Sequence, residues 1–318
     1  MQNKLRYLLY MLRIRRVEFR IAEIPILVIP ILLLIHDTSV LKTFSFWEGI
    51  FIFFLLFAFG DMINCLADRD LDAVYKPHLS EAVYGLGVGF VKFQVAATAV
   101  IALALTAHLS WQLHRWILLP LVATGLVLGA GYSVKPIQFK GRGLAQLACL
   151  WLIIFVGPML FISLLVSTVP SPALLVFAAA FGAMQMGIIL VNTAEDYPED
   201  LEAQIKTTIV ALGLKRGINL AFWLTAAGAL SLVATLAIMF RQRSVQPIWL
   251  LAMSPAVIAC VYVLTDIRRL KRTIANQNLN AAIQTVKHAA KKVPVWLTVV
   301  AWSMVGASYA LFIASSGS

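Results

Sequence analysis

Between Gly143 and Ala194 the chain carries no Lys, Arg, His, Asp or Glu. Shorter charge-free runs extend from Ile24 to Ile35 and from Leu118 to Ser133. A hydrocarbon core of about 30 Å is crossed by roughly 20 residues of helix. In lipid the backbone must satisfy its own hydrogen bonds, which leaves only helices and closed barrels as spanning structures. Barrel strands alternate apolar and polar residues, and these runs do not alternate. The whole chain is 61% hydrophobic and 13% charged, about half the charged fraction of a soluble domain. Such a chain cannot cover a water-facing surface with polar groups.

The expected fold is therefore all-α, a polytopic membrane bundle of nine transmembrane helices. The spans are placed at 17–36, 45–65, 85–108, 115–134, 144–167, 171–193, 217–240, 246–265 and 293–314. Basic residues orient it. Of the 26 Lys and Arg, Lys42, Arg115, Arg241 and Arg243 fall on one side and Lys92 falls inside the third span. All the others belong to the N-terminal arm, the spans' basic flanks and the loops of the opposite side. Cytoplasmic loops collect Lys and Arg, so the N-terminus and the even-numbered interhelical loops are expected in the cytoplasm. The net charge of +11 is then a membrane-surface property, not a nucleic-acid footprint.

The whole chain, residues 1–318, is expected to be one membrane domain, with its first apolar stretch retained as a helix. That stretch is too long for a signal peptide and no small-residue cleavage site closes it. The longest loop, Asp266 to Lys292, spaces Ile274, Leu279, Ile283 and Val286 at roughly helical intervals. It reads either as an amphipathic helix at the interface or as a solvated connector. Cys65, Cys149 and Cys260 lie far apart, offering neither a disulfide framework nor zinc spacing.

Two cytoplasmic loops begin alike. One reads Asn64-Cys-Leu-Ala-Asp68-Arg-Asp-Leu-Asp72, the other Asn192-Thr-Ala-Glu-Asp196-Tyr-Pro-Glu-Asp200. Both are Asn-x-x-x-Asp-x-x-x-Asp. Residues four apart share a helix face, with about 40° of drift per step. Each motif thus aims an amide and two carboxylates the same way, at the end of an apolar span. Pro198 is expected to distort or end the second helix before Asp200, moving Asp200 toward a turn. Neighbouring carboxylates repel, and acids at a membrane helix are expensive. A hard divalent cation relieves both problems. Mg²⁺ prefers oxygen ligands and takes one or two carboxylates plus substrate phosphate oxygens. Two such rows could hold Mg²⁺ ions with a diphosphate between them. Arg69, Lys76 and Lys206 follow the rows, and the loop Tyr132-Ser-Val-Lys135-Pro-Ile-Gln-Phe-Lys140-Gly-Arg142 adds further cations. Ammonium and guanidinium groups bind diphosphate oxygens by charge-assisted hydrogen bonds.

Asn64, Asp68 and Asp72 resemble the Asn-Asp-x-x-Asp-x-x-x-Asp motif of the UbiA superfamily of intramembrane prenyltransferases, and Asp196 and Asp200 resemble its Asp-x-x-x-Asp motif. Ile205 to Gly213 is similar to the segment after that second motif, and Tyr132-Ser133 with Lys140 resembles the family's loop between helices 4 and 5. The resemblance spans almost the whole chain in topology. It implies an isoprenyl diphosphate donor, Mg²⁺, a lipophilic acceptor within the bilayer, and an active site facing the cytoplasm. It implies metal binding by Asn64, Asp68, Asp72, Asn192, Asp196 and Asp200, and diphosphate contacts from Arg69, Lys76, Tyr132, Lys140, Arg142 and Lys206. Asp68, Asp72, Asp196 and Asp200 would carry the catalysis. The sequence departs from the pattern in three places. Cys65 replaces the first motif's second residue, Ala-Val-Tyr-Lys76-Pro-His78 replaces an Arg-rich continuation, and Pro136 stands where Tyr132 would require a Lys.

Two other readings compete. A cyclase of the same superfamily would need the same metal rows but no acceptor. A transporter would also carry membrane acids, but usually near the bilayer midplane. Here the rows stand at span ends, and the span middles hold almost no charge.

Overall fold

A computed structural model describes residues 2–35, 38–169, 171–243 and 246–316. Residue 36, the end of the first expected span, lies outside them. Among the described residues the fold is helical and contains no strand. Two compact units divide the chain. The first comprises Met1–Ile21 and Thr38–Phe139, and the second Ala22–Asp37 and Lys140–Ser318.

The first unit holds α1 (Gln2–Arg13), α3 (Phe44–Tyr75), α4 (Pro77–Leu86), α5 (Val88–Leu113) and α6 (Leu118–Ser133), and α2 (Arg20–Leu34) begins in it. The Thr43 hydroxyl starts α3 by accepting the Phe46 N–H at 3.3 Å. α3 then runs unbroken for 32 residues, about 48 Å at 1.5 Å per residue. That exceeds the hydrocarbon thickness, so its last turns can reach past the apolar layer. α3 packs on α4, α5 and α6, and α1 lies on α4. Three polar pairs lie inside this unit. Arg20 bonds Asp61 at 2.7 Å, Arg15 bonds Gln94 at 2.6 Å, and the buried Glu48 meets His108 Nδ1 at 2.8 Å.

The second unit takes up the rest of α2. It continues with α7 (Leu144–Leu150), a π-helical turn at Trp151–Val156 and α8 (Gly157–Val166), which together form one span. Then come α9 (Pro172–Glu195), α10 (Tyr197–Glu202), α11 (Thr208–Leu212), α12 (Leu214–Gln242), α13 (Ser254–Ala275), α14 (Leu279–Ala290) and α15 (Val293–Ser316). The most extensive packing is between α9 and α12. Lipid tails are as apolar as leucine, so helices in a membrane associate through close backbone approach at small residues. Gly187 and Gly228 provide it. A Cβ at Gly187 would lie 2.7 Å from the Ala221 carbonyl oxygen, and one at Gly228 would lie 2.7 Å from the Ala180 carbonyl oxygen. Nearby, Trp151 lies against Gly182 and donates its ring N–H to the Ala179 carbonyl at 3.1 Å.

Among the described residues, seven helices are long and apolar enough to cross a membrane. The other two expected spans correspond to α2, with 15 residues, and α6, with 16, each about 23 Å long. Three features depart from the sequence reading. α1 and α4 are helices in stretches read as arm and loop. α13 continues through Asp266 to Ala275, taking in the first part of the long loop and burying Ile274. The helix expected in that loop is α14, started by Asn278, whose side chain accepts the Ala281 N–H at 2.9 Å. Its buried residues Ala282, Val286 and Ala290 lie on one face, and the helix packs on α9.

Gly228→Val forces two backbones apart, and overpacking of this kind costs roughly 1–3 kcal/mol. The thermal unfolding midpoint in detergent is expected to fall clearly below that of the parent. Gly125→Ala, which meets nothing within 4 Å, is expected to leave it unchanged. Equal midpoints for the two variants would refute the close-packing account.

Candidate active site

The first acidic row lies wholly on α3, so Asn64, Asp68 and Asp72 share a helix face. Asn64 and Asp68 are half-buried, and Asp72 is 7% exposed. Ser133, at the end of α6, donates its hydroxyl to the Asn64 side-chain oxygen at 3.0 Å. α3 ends as the Lys76 N–H bonds the Asp72 carbonyl at 2.8 Å, and Pro77 opens α4. Proline suits that position because its missing N–H would be unpaired in a first turn anyway. Asp70, on the same helix but off the row, accepts from the Tyr84 hydroxyl. That hydrogen bond raises the Tyr84 pKa and ties α4 to α3.

A pocket of about 300 Å³ opens beside this row, lined by residues of α3 (Ile63, Leu66, Ala67, Arg69) and of the stretch Ser133, Val134, Lys135 and Gln138. Arg69 donates to the Leu66 carbonyl at 2.7 Å and pairs with Asp70 at 3.3 Å. Its guanidinium therefore reaches the pocket wall already partly engaged. Ser133 belongs to the family-like loop read from sequence, whereas Lys135 and Gln138 were not singled out. Lys135 was marked only by its place in a basic loop, and Gln138, at a φ of +39°, by nothing in the sequence. Tyr132 is half-buried at the end of α6.

In the second row the helix breaks at Asp196, before Asp200 as Pro198 led us to expect. α9 ends at Glu195, and Asp196 both closes it and precedes α10. Pro198 sits in the first turn of α10, where proline fits a helix start. The Asp200 N–H still bonds the Asp196 carbonyl at 2.8 Å, so the two acids keep helical spacing. Asp200 thus lies on a helix and not on the turn anticipated from Pro198. It is 7% exposed, as Asp72 is. Asp196 is half-buried and Asn192, on α9, is exposed. In both rows the last carboxylate is drawn inward, unlike the end of an ordinary solvated loop.

The segment after the second row is pinned to the start of α7. The Gly143 N–H bonds the Lys206 carbonyl at 2.8 Å. The buried Thr208 donates its hydroxyl to the Gly143 carbonyl at 2.8 Å and its N–H to the Gln146 side-chain oxygen at 2.7 Å. Gly143 takes φ of +58°, a conformation that favours glycine. These bonds bring the backbones at Arg142 and Lys206 side by side. Both side chains are exposed, and Lys140 is half-buried in the short turn before them. Gln146 and Thr208 gave no sequence signal of this role beyond the likeness of Ile205 to Gly213 to a family segment.

Each row offers oxygen donors alone, the chemistry that suits Mg²⁺. Within either unit, no three His, Cys, Asp or Glu side chains among the described residues form a cluster able to hold a metal. One row therefore supplies two carboxylates and an amide, which matches an ion completed by substrate oxygens better than a closed protein cage. Cys65, whose side chain is buried on α3, adds no oxygen to the first row.

Comparison with known proteins bears directly on this arrangement. The UbiA prenyltransferase family matches over residues 24–283. No curated protein matches in sequence. Among solved structures, a UbiA homolog from Archaeoglobus fulgidus bound to DMAPP and Mg²⁺ superposes with a TM-score of 0.64 at 20% identity, covering 91% of this chain and 98% of that one. The same homolog bound to GPP and Mg²⁺ gives 0.63 at 20% identity, with 92% and 99% covered. A structure of digeranylgeranylglyceryl phosphate synthase gives 0.65 at 15% identity, with 97% and 99% covered. At these identities the structural likeness establishes a shared fold. With the family match extending over most of the sequence and both acidic rows inside it, this all-helical membrane chain belongs to the UbiA prenyltransferase family.

Proposed function

We propose that the chain transfers a prenyl group from an isoprenyl diphosphate to a lipophilic acceptor, using Mg²⁺ held by two carboxylate rows that act on one diphosphate. The observation that carries this reading is the repeated Asn-x-x-x-Asp-x-x-x-Asp row at the ends of α3 and α9, its last acid drawn inward each time. Support comes from the family and from solved UbiA homologs that bind DMAPP or GPP together with Mg²⁺.

Asn64, Asp68 and Asp72 from one row, and Asn192, Asp196 and Asp200 from the other, are the oxygen donors. Bound Mg²⁺ supplies positive charge that offsets the charge gathering on the leaving diphosphate. Arg69, Lys76, Tyr132, Lys140, Arg142 and Lys206 are assigned to the diphosphate oxygens, and Lys135 joins them because it lines the pocket beside the first row. Polar donors fixed before the reaction stabilise developing charge without reorganising. The bonds between Gly143, Gln146 and Thr208 hold the Arg142 and Lys206 backbones in that way. The allylic C–O bond breaks with its electron pair going to the diphosphate. A carbon or oxygen of the acceptor attacks the resulting allylic cation and afterwards loses a proton. The apolar helices receive the prenyl tail and keep water from quenching the cation. The site is assigned to the cytoplasmic face by the distribution of basic residues.

Asp68→Ala and Asp196→Ala are each expected to cut Mg²⁺-dependent diphosphate release by at least about a hundredfold, the scale of losing one stabiliser of developing charge. Asp70→Asn, off the row and engaged with Tyr84, is expected to stay within a few-fold of the parent. Diphosphate release from geranyl, farnesyl and geranylgeranyl diphosphates by folded, purified variants is the assay. Full activity in both Ala variants would overturn the metal assignment.

Chelating the divalent metal is expected to abolish turnover, and Mg²⁺ alone is expected to restore it. Product analysis with donor but no acceptor separates transfer from cyclisation. A transferase gives at most slow hydrolysis, whereas a cyclase releases hydrocarbon.

A further inference from the structure

The second unit has a polar pocket at the end remote from its acidic row. About 360 Å³ in volume, it is bounded by the ends of α2, α8 and α12 and by the start of α9. α9 begins at this pocket and finishes just before Asp196, 24 residues later, or about 36 Å along the helix. The pocket is therefore separate from the site described above.

Arg243 is its central group. The side chain is half-buried, donating to the Leu33 carbonyl and, at 3.0 Å, to the Ser315 hydroxyl. Both acceptors are neutral. A guanidinium has five N–H donors, and these two bonds leave three. No carboxylate among the described residues lies within ion-pair reach of it, and desolvation is what lowers its pKa. A half-buried guanidinium with donors to spare beside an open pocket favours an anion there.

The opposite wall supplies a second attraction. Ser171 precedes α9, but its hydroxyl does not cap that helix. Pro172 has no N–H, so the first amide of α9 belongs to Ala173, which also lines the pocket. A helix N-terminus carries partial positive charge and unpaired N–H groups, the usual setting for a bound phosphate. Gln242 adds an amide. Ser167 adds a hydroxyl, and Leu33, Leu34, Val166 and Met239 give the pocket its apolar lining. Such a pocket suits an amphiphile with an anionic head, because a guanidinium binds phosphate oxygens by charge-assisted hydrogen bonds.

We propose that this pocket binds the phosphate of an anionic membrane lipid between Arg243 and the N-terminus of α9, with an acyl chain along the apolar wall. The site fastens lipid to the ends of four helices on the face opposite the acidic row.

The test uses the full chain in nonionic detergent. Affinity is measured by native mass spectrometry, alongside the thermal unfolding midpoint. The probes are phosphatidylglycerol, zwitterionic phosphatidylcholine and inorganic phosphate. Phosphatidylglycerol is expected to bind and raise the midpoint, with phosphatidylcholine much weaker. Arg243→Gln is expected to weaken phosphatidylglycerol at least about tenfold, the scale of losing a charged hydrogen bond. Ala173→Phe fills the pocket and leaves the Arg243 bonds in place, so it is expected to abolish binding even where Arg243→Gln fails to fold. Asp196→Ala is expected to bind lipid as the parent does. Undiminished binding in Ala173→Phe, or in folded Arg243→Gln, would overturn the proposal. A midpoint shift reproduced by inorganic phosphate alone would overturn the lipid assignment, and loss of binding in Asp196→Ala would overturn the location.

Discussion

Lipid offers a peptide group no hydrogen-bond partner, and every other feature of this protein follows from that constraint. The backbone must close its own bonds, so the apolar runs become helices. Side chains that need water or a counter-ion are pushed to the helix ends. The acids of both rows stand there, and α3 carries its row on turns that outrun the hydrocarbon thickness. Packing between helices then depends on shape, which is why the most extensive contact, α9 on α12, rests on two glycines. Holding α9 against α12 fixes the helix that ends just before Asp196.

The same constraint explains what was legible in the sequence. Long charge-free runs mark spans because nothing else can occupy hydrocarbon, and the ends of α5, α9 and α15 fall within a few residues or so of the expected limits. α1 and α4 were missed because short amphipathic helices give weaker signals than spans. α3 overran its expected end because acids at four-residue intervals are compatible with helix once the chain has left the apolar layer. Pro198 was read as a helix breaker, yet its missing N–H suits the first turn of α10. The break falls at Asp196, and Asp200 stays helical.

Within the site, sequence identified the residues whose chemistry is unusual for a membrane helix. Paired carboxylates at a span end are expensive, so their repetition carries information. It did not identify the groups that position them. Ser133 on Asn64, and Gln146 with Thr208 on the segment before Lys206, are ordinary residues whose role depends on distant parts of the chain. Gln138 and Lys135 line a pocket that only the fold assembles. Periodicity along one helix cannot reveal such contacts, because they join elements far apart in sequence.

That both rows grip one magnesium-diphosphate group is the claim on which the mechanism stands. Calorimetric binding of geranyl thiolodiphosphate in Mg²⁺, measured for the parent, Asp68→Ala, Asp196→Ala and the double variant, tests it most directly. Residues acting on one ligand are coupled, whereas independent ones add to within about 0.5 kcal/mol. The account predicts a double variant that loses clearly less than the sum of the two single losses. Strictly additive losses would contradict it.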